Sequence, residues 1–473
     1  MNTTPQVMSS RFALFVASIA YAFAVGFCLK NYAAVEWGEY GYSFGQIAPF
    51  EWVLIASGLW LWSLFVPMVI ESPSDLTLIL VYCAICIPGL IVPLGLESVD
   101  ESSFFWVSVA LIAAFSGCCW LVRSLSPMRE MQPRSPTRWF APILLVSWLI
   151  CVVVLVYEYR SVMTFVSLEA IYDQRAAGSA TSRAIGYAQT YLGYVLSPGL
   201  LALGLVRRSF VLAALGVAGG LVLYSITAEK NAFAFLIIGL AYVLRHDAHL
   251  FRSAATLLAL LAAVLIAAVY HSQESLIAGF FAWYIGVRSL LTPGLFIAQY
   301  YEFFSERGFT LWSHVTGLSL VVAKPPGLAD ERWPSLGHMV GEQFVGKLDL
   351  NANANFVASD GIAACGALGV LLVFIALAIY LVLLDRACVG IDRRLALLVT
   401  LPMALTLTNV SYFTVLLSFG GLFWLLAFNV FFRRSTGPTP SGRAPSHVWK
   451  PGGPGESGRG VASPLSYGQG MRQ

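Results

Sequence analysis

Apolar runs broken by short polar stretches dominate the 473-residue chain. Runs near 12–29, 50–70, 76–96, 103–122, 139–158, 186–206, 210–227, 231–244, 253–270, 357–384, 395–410 and 412–432 reach or approach the roughly 20 residues that cross a hydrocarbon core of about 30 Å. The pattern predicts an all-α polytopic integral membrane protein with about 12 transmembrane helices, in the range of roughly 11 to 14. The first run lacks a small-residue cleavage site and is soon followed by others, so it reads as a retained span. Residues 1–434 thus form a single transmembrane domain, interrupted by polar segments at 159–185 and 271–356. From 435 to 473 the chain turns rich in Gly, Pro, Ser and Arg, which predicts a disordered cytoplasmic tail.

Composition agrees with the pattern: 58% hydrophobic and 11% charged residues are too apolar for a soluble core of this size. Basic residues of short loops stay in the cytoplasm. Arg123, Arg129, Arg134 and Arg138, then Arg207 and Arg208, then Arg245 and Arg252, then Arg386, Arg393 and Arg394 fall on one side if both termini are cytoplasmic. That leaves 159–185 and 271–356 outside. The net charge of +3, with no basic run interleaved with aromatics, sets nucleic acid aside. The cysteines lie in or beside apolar runs, so they suggest no disulfide framework, and the C-x-x-C of Cys83 and Cys86 suits helix packing better than zinc.

The outer segments carry cations on the side where a polytopic protein normally has few: Arg160, Arg175, Arg183, Lys230, Arg288, Arg307, Arg332 and Lys347. Such placement suggests that something anionic is held there. Arg175 and Arg183 stand about two turns apart if their stretch is helical, which turns both guanidiniums to one side. Arginine suits phosphate because its planar fork makes paired, charge-assisted hydrogen bonds. Tyr172, Tyr187 and Tyr191 add flat faces suited to sugar rings, although an interfacial aromatic belt has the same composition. Lys230 sits in the tight turn TAEKN, able to meet a phosphate or to pair with Glu229 or Asp173. The stretch 276–304 reads as an interfacial amphipathic helix broken at Pro293, with Arg288 on its polar side.

The long polar loop that follows carries His314 and His338, then NANANFVASDGIAACG. Either histidine can take a proton from a hydroxyl. Asp360 stands just inside the next apolar run, where an ionisable residue is a functional candidate and helix capping is the plainer alternative. Asn353 and Asn355 can bond sugar hydroxyls or form turns. There is no P-loop, G-x-S-x-G, H-E-x-x-H or metal-binding acidic pair, so an enzyme of this sequence would need no metal or other cofactor and would use a lipid-borne donor.

The stretches IYDQRAAGSATSRAIGYAQTYLGYVLSP, SITAEKN, VRSLLTPGLFIAQYYEFFSERGFTLWSHVTGL, and GHMVGEQF with NANANFVASDGIAACGALG resemble, in order and spacing over roughly residues 155–385, the bacterial oligosaccharide repeat-unit polymerases of the Wzy type. These make O-antigen and exopolysaccharide. Where the family usually has glycine or another small residue beside the lysine, this chain has Ala228 and Glu229. The resemblance implies a GT-C-type glycosyltransferase at the periplasmic face of the bacterial inner membrane. It would join undecaprenyl-pyrophosphate-linked oligosaccharide repeat units and release undecaprenyl pyrophosphate. Its partners would be those lipid-linked units, membrane lipids, and the chain-length regulator and flippase of the same pathway. Arg175, Arg183, Arg288 or Lys230 would stabilise the leaving pyrophosphate. His314, then Asp360 or His338, would be the base. Tyr172, Tyr187, Tyr191, Tyr300, Tyr301, Asn353 and Asn355 would contact glycan. An O-antigen ligase is the alternative within the pathway, and a non-enzymatic transporter or flippase the alternative outside it.

Overall fold

The computed structural model describes residues 5–97, 101–126, 132–165, 171–179, 181–228, 253–329, 335–348 and 350–434. In chain order its helices are α1 (Ser10–Glu36), α2 (Pro49–Phe65), α3 (Pro73–Gly95), α4 (Phe104–Leu125), α5 (Phe140–Tyr159), α6 (Ile171–Ala177), α7 (Arg183–Arg207), α8 (Phe210–Thr227), α9 (Ala254–Tyr270), α10 (Leu276–Arg307), α11 (Leu336–Val345), α12 (Val357–Ile362), α13 (Ala363–Cys388), α14 (Arg393–Thr406), α15 (Tyr412–Ser418) and α16 (Gly421–Phe431). Counting α12 with α13, 8 of these are long and apolar enough to cross a membrane, and the bent pair α15 and α16 makes up to 9. The chain is a polytopic, all-α membrane protein. The expected run 231–244 and the tail 435–473 lie outside the described residues. The runs at 50–70 and 253–270 are helices of 17 residues, and that at 395–410 is one of 14.

Aliphatic side chains cover the outside of the bundle: Ile143, Val146, Leu149, Ile150 and Val153 of α5 are all exposed, a surface suited to lipid. Inside, small residues let helices approach. A Cβ on Gly204 of α7 would fall 2.4 Å from the backbone nitrogen of Ala213 in α8, and one on Gly216 would fall 2.6 Å from that of Leu201. This is the close packing that substitutes for hydrophobic drive within a membrane.

Side-chain caps define the two ends of the bundle. At one end, Arg11 donates to the carbonyls of Ser63 and Val66, Arg393 to that of Ile70, and Arg134 to those of Ala387, Phe428 and Phe432. Arginines there satisfy carbonyls that helix C-termini leave unpaired. A short antiparallel pairing of β1 (Arg134–Pro136) with β2 (Phe432–Arg434) closes the same end. At the other end, Gln273 donates to Glu36 and the Glu97 amide to Ser43. There too, Gln174 donates to the carbonyls of Val162, Ser225 and Ile226. The described parts of 159–185 and 271–356 gather at this second end.

Two expectations about these segments need correction. Arg175 and Arg183 do not share one helix: α6 and α7 are separate, joined through Gly178, which packs so closely on the Ile226 carbonyl that a Cβ would lie 2.1 Å from it. Nor does Pro293 break its helix. α10 is continuous, because the turns from Ala282 to Leu291 widen to π geometry just before the proline. The widened turns absorb the missing donor, and the Ser289 and Thr292 hydroxyls take up the carbonyls of Tyr284 and Val287. Although long enough to span, α10 lies along the second end, since Tyr32 bonds Gly279, Tyr42 bonds Thr292 and Gln299 bonds Tyr40.

The expected single span at 357–384 is likewise two pieces. Cys365 and Gly366 leave helical geometry, Gly366 at φ 58° and ψ −136°, a conformation natural only to glycine. α12 therefore folds back on α13: the rings of Phe356 and Phe374 are 5.3 Å apart, where a straight helix would separate them by about 27 Å. Broken backbone of this kind survives at membrane depth only when buried in protein, and Val357 to Ile362 are all buried.

Candidate functional site

The break in α13 positions the chemistry. With the helix interrupted, the carbonyls of Ala363 and Ala364 accept from the backbone of Thr310 and Leu311. The following turn takes Leu311 and Trp312 through positive φ, at 47° and 61°, a strained path for L-residues. It brings His314 over α12, with Nε2 3.7 Å from Oδ1 of Asp360. The other imidazole nitrogen, Nδ1, is 2.9 Å from the Thr310 hydroxyl, which fixes the ring. Asp360 is fully buried, while the His314 side chain is 16% exposed, so the ring edge reaches the cavity with its buried Nε2 turned back to the carboxylate. Asp360 Oδ2 accepts the backbone N–H of Tyr412, and the Ser359 hydroxyl stands at 3.4 Å. Asp360 is thus more than a cap for its own helix: it ties α12, α15 and the His314 turn together.

His314 opens onto a cavity of about 610 Å³. Tyr187, Tyr300, Asn353 and Ser359 share its wall. So do Ser411, Thr414 and Ser418 of the α15 region, beside apolar Phe413, Leu417 and Phe419. A wall of hydroxyls beside aromatic and aliphatic faces suits a sugar, whose rings present both polar edges and apolar faces.

Other expected residues, Tyr300 of the cavity wall among them, are engaged in holding the fold. Asn355 is buried and structural, donating to the Pro293 carbonyl and accepting from the amides of Val357 and Ala358. Tyr300 is buried, its hydroxyl donating to Ala352, and Tyr301 packs edge-on against Phe104. Tyr191 donates to the Leu417 carbonyl, bracing α7 on α15. His338 bonds Ser335 and is not among the cavity-lining residues, although its neighbours Gly337 and Met339 are.

Arg175, Arg183 and Arg288 do not line the cavity either. Arg183 opens α7 one turn before Tyr187, exposed above the cavity wall. Arg175 reaches the carbonyl of Ala228 at 3.5 Å. Arg288 is exposed and lies 6.0 Å from the Trp283 ring. The charges of Arg175 and Arg288, more than a hundred residues apart in sequence, both reach the Tyr284 hydroxyl. Burial raises the Tyr42 hydroxyl pKa well above its ordinary range, against the opposing pull of the Thr292 hydrogen bond and the Arg288 charge. Lys230 and the side chain of Tyr172 lie outside the described residues.

Sequence reasoning missed Lys324, which lines the cavity, and the whole contribution of residues 410–419. Nothing in the apolar sequence around Tyr412 marks it as the backbone donor to Asp360. Among the described residues, no three His, Cys, Asp or Glu side chains converge as metal ligands would. Comparison with models of known families, with curated proteins and with solved structures finds no match to this chain.

Proposed function

We propose that this protein is a repeat-unit polymerase, a GT-C-like glycosyltransferase with about 12 spans that joins lipid-linked oligosaccharides at the periplasmic face of a bacterial inner membrane. The observation that carries the proposal is the His314–Asp360 pair at the floor of a hydroxyl-lined cavity, at the bundle end where Arg175 and Arg288 also gather. In this reading His314 takes the proton of the acceptor sugar hydroxyl through Nδ1 and the Thr310 hydroxyl bonded to it, and Asp360, facing Nε2, stabilises the imidazolium that results. The acceptor oxygen then forms the new glycosidic bond as the bond to the donor's pyrophosphate breaks. The departing diphosphate keeps the electron pair, and nearby guanidiniums stabilise its charge. Arg183, one turn above Tyr187, is closest to the cavity mouth in sequence and helix register.

Purified protein in lipid, given one defined undecaprenyl-pyrophosphate-linked repeat unit, should make polymer and release undecaprenyl pyrophosphate. Failure to form any glycosidic bond under conditions that keep the protein folded rejects the enzyme reading. Transfer only to lipid A core would indicate a ligase instead.

One observation favours a second reading. A buried carboxylate on a broken, folded-back helix is also how transporters build mid-membrane sites, and α12 with Asp360 has that form. Deletion of the gene separates the two. A polymerase defect leaves single lipid-linked units on the outer face, whereas a flippase defect leaves them on the cytoplasmic face.

A further inference from the structure

Among the described residues that line the cavity, the basic ones are His314 and Lys324 and none is Asp or Glu, Asp360 standing behind His314. Lys324 therefore faces a hydroxyl-rich space with no carboxylate among the described residues that line it, an arrangement that favours an anion. Its backbone is constrained as well, because it precedes Pro325 and Pro326, which hold the preceding residue extended.

Just before Lys324 lies an unusual apolar surface. Leu320 and Val321 are 89% and 86% exposed, and Leu318 is 42% exposed, although they sit in the wall segment between Thr316, Ser319 and Lys324. Their backbone is prepared for a dry setting. The amides of Ser319, Leu320, Val321 and Val322 are satisfied within the segment, by the carbonyls of Val315, Gly317 and Leu318. Bare aliphatic side chains on a self-satisfied turn fit the apolar boundary of a bilayer, where unsatisfied amides are costly. The segment thus joins an apolar outer face to a cationic inner edge.

We infer that Leu318–Lys324 is the entry element of the cavity for a polyprenyl diphosphate, with Lys324 contacting the phosphates and Leu320 and Val321 seating the first isoprene units. The inference rests on the reading of the cavity as the site for a lipid-linked glycan, and adds a cation that lines that cavity where the three arginines do not. One charge-assisted contact of this kind corresponds to roughly ten- to hundredfold in affinity.

The test uses full-length protein in nanodiscs and three probes: a C15 prenyl diphosphate, the C15 alcohol and inorganic pyrophosphate. Lys324→Ala should weaken both phosphate probes at least about tenfold and leave the alcohol unchanged, with Lys324→Arg restoring most of the loss. Leu320→Gln with Val321→Gln should weaken the diphosphate and the alcohol but not pyrophosphate. Pyrophosphate loss without any effect of the Leu320 and Val321 changes would mean a free-phosphate site, overturning the lipid part. Wild-type affinity of Lys324→Ala for all three probes overturns the inference outright, even in a protein that polymerises. Binding through Lys324 in a protein that makes no polymer leaves the inference standing and removes the polymerase reading instead.

Discussion

Replacing Asp360 by Asn keeps the shape of a fully buried side chain and removes only its charge. The amide oxygen can still accept the Tyr412 N–H, so α12 and α15 remain joined. What is lost is the carboxylate 3.7 Å from His314 Nε2. When His314 takes a proton, attraction at that distance amounts to about 4.5 kcal/mol at an effective dielectric of about 20. The cost of keeping the carboxylate out of water offsets part of this, leaving on the order of 2 kcal/mol, or about thirtyfold in rate. The assay is single-turnover glycosyl transfer by reconstituted protein, with a thermal melt to confirm folding. His314→Gln should lose at least as much. The double variant should be no slower than His314→Gln alone, because the two residues act as a unit. A folded Asp360→Asn protein with the wild-type rate, or losses that multiply in the double variant, would refute the assignment.

Four further outcomes follow from the geometry. Gly366→Ala forces an L-residue into φ 58°, ψ −136° and sets a Cβ 3.0 Å from the Phe309 ring. It should cost about 1–3 kcal/mol and slow transfer by shifting the His314 turn, visible as a lowered melting temperature. Asn355→Ala removes three hydrogen bonds, two that cap the start of α12 and one that ties it to α10, for a loss of about 2–4 kcal/mol that hydrogen exchange should localise to residues 355–364. His338→Ala, away from the cavity lining, should keep transfer within about twofold of wild type, whereas charge removal at Arg183 should lower polymer yield about tenfold or more with normal membrane insertion. Equal losses at His338 and His314 would put the base elsewhere.

The apolar runs determined most of the fold class, since a run of some 20 apolar residues has few stable alternatives to a membrane helix. Two of the arginines that the sequence puts on one side, Arg134 and Arg393, bond backbone carbonyls at one end of the bundle. His314 and Asp360 were legible as chemistry out of place, the first in a polar loop and the second inside an apolar run. Their partnership was not legible. It depends on a helix reversal at Gly366, on two positive-φ residues and on a backbone amide from Tyr412, none of which has a hydropathy signature. Arg175 and Arg288 likewise come to one end of the bundle only because α6 docks through Gln174 while α10 lies across the same end. Local sequence fixes what each segment is able to be, because burial and periodicity act over one or two turns. Which segments face one another depends on packing between residues far apart in the chain, and only the tertiary structure decides that.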